Sequence, residues 1–241
     1  MTEADFLDDY DPAAFERPSV TVDLVLLGLH EGRPTALLVK RGQHPFAGQW
    51  ALPGGFVGID EGIDEAARRI LHDKAGIRSA HLEQLYTFGS VKRDPRMRII
   101  SVAYLGLLAN DAFESALKET PTLLPAGIDV PWQGEKGGPV EVQSPGHEPL
   151  TLAFDHADIL AMAILRLRGK LDYSDVGFAW LPKHFTLRQL QDVHEAILGI
   201  SLNKPAFRRR MLDKGWIEGT GERETGASFR PAELYRYKPQ N

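Results

Sequence analysis

Three groups of residues in this 241-residue chain have types and spacings suited to chemistry. The first opens at Gly55, places Glu61 six positions on and Arg69 eight beyond that, and closes through Asp73 to Gly76-Ile77. Carboxylates one helical turn apart share a face, and several carboxylate oxygens on one face hold Mg2+. That ion activates water and neutralises charge when a pyrophosphate is split. The second group is cationic and aromatic, with Arg41, Phe46 and Trp50 in one loop and Arg93, Arg96 and Arg98 in another. Arginine forks match phosphate oxygens, and an aromatic face accepts a stacked adenine. The set therefore predicts a nucleotide site, although a solvated basic loop would carry the same arginines. The third group is in the tail: Lys204, Arg208, Arg209 and Arg210 are close together, and Arg223 and Arg230 flank a later turn.

Regular elements must position these groups. Residues 19–29 are β-branched and apolar, which predicts a buried strand, and further strands are expected at 35–40, 82–88 and 99–108. A helix is expected from Ile63 to Ala75, with Ala66, Ala67, Ile70 and Leu71 in its apolar stripe and Gly76 ending it. Another is expected from Asp155 to Gly169, with Ile159, Met162, Ala163 and Leu167 on one face. Residues 110–150 are dense in proline and glycine and read as an irregular surface insertion holding a hairpin of Val130–Trp132 and Val140–Val142.

The tail follows its own pattern. Thr186 and Gln189 form a capping box, and Phe185 and Leu190 a hydrophobic staple. Leu187, Leu190, Val193 and Ile197 then stripe a helix that Gly199 breaks. A second helix starts near Asn203, a helix-capping residue, and tolerates Pro205 in its first turn. Two strands, Trp216-Ile217 and 234–237, complete a winged helix-turn-helix order. Lys204 and Arg208 share one face of the second helix, and Phe207 and Met211 share the core face. Such a cationic face suits the major groove, where arginine bridges guanine O6 and N7 while other cations grip phosphates. Arg223 and Arg230 would touch phosphate or minor groove, with Glu222, Glu224 and Glu233 opposing them.

Charge agrees with that division. Residues 182–241 carry 11 Lys and Arg against 7 Asp and Glu, while the rest of the chain is acidic enough to bring the net charge to −5. The polyanion partner is thus expected at the C-terminal end. There are no cysteines, which excludes disulfides and thiolate metal sites. No apolar run has the ~18 residues of a membrane span, and residues 1–17 form an acidic arm without a secretory signal, so a cytoplasmic protein is expected.

The segment Gly55…Glu61…Arg69…Gly76-Ile77, preceded by Leu52-Pro53-Gly54, resembles the Nudix box. That resemblance implies a Nudix α/β/α sandwich over roughly residues 18–180. It also places the family's three metal-binding glutamates at Ile70, Asp73 and Lys74, which predicts a poor metal site and little or no hydrolysis. Arg93-Asp94-Pro95-Arg96, Ser101–Tyr104, Ala153-Phe154-Asp155-His156, Phe185-Thr186-Leu187, Phe207–Arg210 and 230–236 extend the likeness. Together they resemble the Nudix-related transcriptional regulators of NAD metabolism. The resemblance implies an α/β Nudix sandwich followed by a winged helix at 181–241, a homodimer on operator DNA, and an ADP-ribose-type effector with no required cofactor or metal. The helix at 155–169 and the linker at 171–184 lie where transmission between the two parts would occur. The competing readings are a Mg2+-dependent ADP-ribose pyrophosphatase with an accessory domain, and a sensor whose winged helix binds protein.

Overall fold

The computed structural model describes residues 2–225 and 231–239. The arm holds α1 (Glu3–Asp9) and a 3-10 turn at Pro12–Ala14, with no buried residue in either. The first domain then contains β1 (Ser19–His30), β2 (Arg33–Lys40), β3 (Trp50–Ala51), β4 (Gly54–Phe56), α2 (Ile63–Ala75), β5 (Leu82–Phe88), β6 (Ile99–Leu107), α3 (Asn110–Glu119), β7 (Leu123–Asp129), β8 (Glu141–Gln143) and α4 (His156–Lys170). The tail contains β9 (Phe185–Thr186), α5 (Leu187–Leu198), α6 (Lys204–Asp213), β10 (Ile217–Arg223) and β11 (Glu233–Tyr237).

The main sheet runs β5-β6-β1-β2-β7-β8, with β3 on β2 and β4 on β1. β1 and β6 pair in parallel and the other neighbours pair antiparallel. Both faces are covered, which is why β1 is apolar without interruption from Leu24 to Leu27. Val22, Leu24 and Leu26 face α2 and α3, while Val25 and Leu27 face α4. On α2 the residues Ala66, Ala67, Ile70 and Leu71 are buried, and Gly76 closes the helix at φ +67°, a left-handed turn that glycine adopts without strain.

The expectation of an irregular insertion at 110–150 is corrected. Phe113 of α3 is fully buried, and β7 joins the central sheet by pairing with β2 from Leu123 to Gly127. The hairpin there is β7 with β8, in register Ile128↔Val142, so its first arm ends before Val130. Ala126 and Ile128, two positions apart, enter the core under α4, while Leu123 enters the core on the other face of the sheet, which fixes that register.

The tail is a winged helix with a three-stranded sheet in the order β10-β11-β9. Thr186 and Gln189 bond each other's backbone amides at 3.2 and 2.8 Å, forming the capping box. Phe185, Leu190, Phe207, Met211, Ile217 and Tyr235 make its small core. The α5 stripe is divided: Leu190 enters this core, whereas Val193 and Ile197 enter the core beneath the main sheet. The segment between α4 and β9 is equally committed. Trp180 donates its indole N–H to Leu27 O at 3.1 Å, and the Phe178 ring lies 4.6 Å from Tyr237.

Candidate functional site

The loop before α2 is shaped by two close approaches. Gly54 pairs with Asp23 across β4 and β1, where an added Cβ would collide with the Asp23 carboxylate. Gly55 lies against Ile70. Glu61 accepts the Gly58 N–H at 2.7 Å and both Nε and Nη2 of Arg69, at 3.0 and 2.5 Å. The Arg69 fork first, and the Gly58 amide second, hold the Glu61 pKa down to about 2. Arg69 also donates to Phe56 O at 3.0 Å, so the pair ties the loop to the helix.

The Mg2+ that a Nudix hydrolase requires does not fit these residues. Ile70 is 1% exposed and belongs to the core. Lys74 brings a cation to the cleft beside Asp73, and Asp73 bonds His72 at 3.0 Å. Glu61 is engaged by Arg69. Among the described residues no cluster of His, Asp or Glu is arranged to hold a metal.

A cleft of about 870 Å3 opens between β2, β3 and the C-terminal end of α2. Lys40, Arg41, Trp50, Gly54, Asp73 and Lys74 line it. Beside it lies an aromatic and cationic cluster centred on Phe154, whose backbone has φ +54°. Arg41 stacks on the Phe154 ring at 4.7 Å, Phe46 meets it edge-on at 4.8 Å, and Arg96 lies 6.0 Å away. Burial, and then the Arg96 charge, lower the Arg41 pKa. Two guanidinium groups brought together in a partly buried place favour an anionic ligand.

Beneath this cluster is a buried polar network. Arg93 reaches Asp155 at 2.6 and 2.9 Å and Asp23 at 3.4 Å, and Ser101 donates to Asp23 at 2.5 Å. The Leu52 N–H donates to Nδ1 of His156 at 2.9 Å, and the His156 Nε2 faces Asp23 at 3.6 Å. Burial pushes the His156 pKa down, and the neutral ring is the form that can accept from Leu52.

The six arginine and aromatic candidates thus separate. Arg41, Phe46 and Arg96 converge on Phe154, and Trp50 lines the cleft. Arg96 is also held by Asp94 through Nε at 3.0 Å and Nη2 at 2.8 Å. Arg93 is buried against two carboxylates and braces the loop from below, so the expectation that it offers a fork to a ligand is corrected. Arg98 is exposed and donates to Ser90 O at 3.0 Å within its own loop. Sequence reasoning gave no role to Phe154, Asp23 or His156. Phe154 stands over 100 positions from Arg41, and the Ala153–His156 stretch enters only as part of the family resemblance, with no role attached to its residues.

On the winged helix, Lys204, Arg208, Arg209 and Arg210 are exposed, while Phe207 and Met211 of the same helix are buried. Asn203 caps α6 by accepting the Ala206 N–H at 3.0 Å. Arg210 turns towards Asp172 at 3.4 Å, and Lys214 reaches the same residue's carbonyl at 2.6 Å. Arg223 donates to Pro231 O at 3.0 Å within the wing. Arg230 lies outside the described residues.

Two family models match the chain, the NUDIX domain over residues 17–123 and the NrtR DNA-binding winged helix domain over residues 177–237. The chain is 36% identical to the ADPR responsive transcriptional repressor NtrR of Acinetobacter baylyi, over 100% of this chain and 90% of that protein. The chain belongs to the NrtR family. Shewanella oneidensis NrtR complexed with a 27mer DNA is 33% identical with TM-score 0.72, covering 91% of this chain and 93% of that one. The NUDIX domain of Shewanella oneidensis NrtR complexed with ADP ribose is 32% identical with TM-score 0.51, covering 69% of this chain and 99% of that one. In this NrtR-family chain the two domains are joined by α5, whose apolar stripe serves both cores. No helix among the described residues is long and apolar enough to cross a membrane.

Proposed function

We propose that this chain is a transcriptional regulator that binds operator DNA through α6 and the wing and responds to ADP-ribose or a closely related nucleotide in its Nudix domain. One observation carries the reading. A cationic recognition helix, with Lys204, Arg208 and Arg209 exposed on it, is built onto a Nudix domain whose box helix has Ile70 in the core and Lys74 in the cleft. The Nudix domain then keeps a nucleotide site without destroying its signal. Trp50 and Phe154 offer aromatic faces for adenine, and Arg41 and Arg96 offer cations for pyrophosphate. No cofactor or metal is required, and ADP-ribose persists when Mg2+ is present.

The active species in this reading is a cytoplasmic homodimer, because two copies place two α6 helices on half-sites about one DNA turn apart. Its target genes lie in NAD metabolism. Fluorescence anisotropy with DNA from upstream of its own operon, titrated with ADP-ribose in Mg2+ buffer, tests the reading. Chromatography of the same mixture checks for AMP. Salt-sensitive, sequence-preferring binding that shifts with ADP-ribose and yields no AMP supports it. Rapid AMP release without sequence preference would show an enzyme instead.

A further inference from the structure

α4 connects the effector cluster to the winged helix. Its N-terminal end carries Asp155 and His156, both in the buried network under Arg41 and Phe154. At ~1.5 Å per residue the helix is about 22 Å long, and it is packed on the sheet by Ile159, Leu160, Ala163, Ile164 and Leu167. Its other end carries Arg168, which is 3% exposed and pairs with no carboxylate among the described residues. A buried guanidinium without a counter-ion is costly, and an apolar residue could fill the same volume without that cost.

Arg168 instead donates to three backbone carbonyls, one on α5 and two in the loop after β7. Its Nε donates to Ile197 O, in the last turn of α5, at 2.8 Å. Its Nη1 donates to Trp132 O at 2.8 Å and to Gly134 O at 3.3 Å. Its Cζ stands 4.4 Å from the centre of the Trp132 ring. A Cβ at Gly199, the left-handed cap of α5, would sit 3.1 Å from Nη2, so the helix end is pressed against the side chain. A cation at a helix C-terminus also meets the negative end of its dipole.

We propose that Arg168 is the positioning residue through which effector binding reaches the DNA-binding helices, by fixing the end of α5 to the end of α4. The inference rests on the ADP-ribose reading above. A rigid α4 moved at its N-terminal end delivers that motion to α5 only if their far ends are tied. Val193 and Ile197 supply cohesion, but non-directional apolar contacts permit sliding, whereas the Arg168 bonds fix one orientation.

The test uses the full chain and its Arg168→Gln and Arg168→Lys variants. Calorimetry gives ADP-ribose affinity, and anisotropy gives operator affinity with and without saturating ADP-ribose. Arg168→Gln is expected to bind ADP-ribose within about twofold of wild type and still bind operator. The ratio of its two operator affinities should collapse towards one, a loss of about tenfold or more in coupling. Arg168→Lys, which keeps the charge and a single donor group, should retain part of the ratio and serves where the glutamine variant does not fold. Ile164→Val controls for lost packing on the same helix and should keep the full ratio. A full ratio in both Arg168 variants, or loss of operator binding in both regardless of ADP-ribose, overturns the inference. A wild-type chain whose operator affinity ignores ADP-ribose overturns the underlying reading and the inference with it.

Discussion

Arg69 grips Glu61 through two nitrogens, so the carboxylate that survives from the Nudix box is held as a loop clasp. Releasing it should not create an enzyme. Arg69→Met, incubated with ADP-ribose and Mg2+, is expected to yield no AMP, because Ile70 and Lys74 still deny the ion its ligands. Ile70→Glu should also stay inactive, and it buries a carboxylate beside Val22, Leu24 and Leu71. A loss of several kcal/mol in urea unfolding is expected for that variant. AMP production by either protein would refute the reading of this helix.

The basic face of α6 makes a second prediction. Lys204→Ala, Arg208→Ala and Arg209→Ala should each weaken operator binding. A residue on phosphate lowers the slope of log K against log salt by about 1 for all sequences, whereas one reading a base costs about 1–3 kcal/mol and relaxes preference at one position. Titrations at several salt concentrations, on operator and scrambled DNA, separate the two. Unaltered affinity in all three variants would place the DNA surface elsewhere.

Arg210 and Lys214 are turned towards Asp172, which is itself exposed. Surface pairs of this kind contribute little to stability, yet this one draws two cations towards the first domain. Asp172→Asn is therefore expected to leave the melting temperature unchanged and to tighten DNA binding severalfold at low salt. Equal affinity for the two proteins would mean that neither cation approaches DNA.

Phe154 bears the Arg41 and Phe46 contacts while lying far from α6 in sequence. Phe154→Ala is expected to weaken ADP-ribose by roughly tenfold, the scale of a lost stacking and cation–π contact. Operator affinity without ligand should stay the same. A calorimetric ADP-ribose affinity equal to wild type would move the nucleotide away from this ring.

Acid should loosen the winged helix through His194. Burial drives its pKa down to about 4, with Arg210 and Lys214 adding to that and Leu190 O and Asp172 opposing it. The ring is folded in its neutral form against Phe207, 5.0 Å away. The unfolded chain, with an ordinary value near 6.5, binds the proton first. The contribution is thus complete above about pH 6.5 and is lost as pH falls towards 4, by roughly 3 kcal/mol in all. Urea midpoints between pH 7.5 and 4.5 should fall more steeply for wild type than for His194→Gln, and parallel curves would remove His194 as the cause.

Local signals determined a large part of this protein. The period of apolar residues marks α2 and α4, the Thr186–Gln189 box marks the start of α5, and the alternation of Phe207 and Met211 with Lys204 and Arg208 marks the two faces of α6. Each depends on residues a few positions apart, which is the range over which sequence pattern acts. Ile70 and Lys74, at positions where the Nudix box leads one to expect glutamates, are legible for the same reason. The tertiary structure decided what pairs across the chain. It placed β7 beside β2, made 110–129 part of the sandwich, and joined Phe154 to Arg41. It also took Arg93 out of solvent, because Asp23 and Asp155 meet it only after β1 and α4 pack together. The division of α5 between two cores had the same origin. Val193 and Leu190 look alike as a stripe, and only the sheet beneath one and the wing beside the other assign them to different domains.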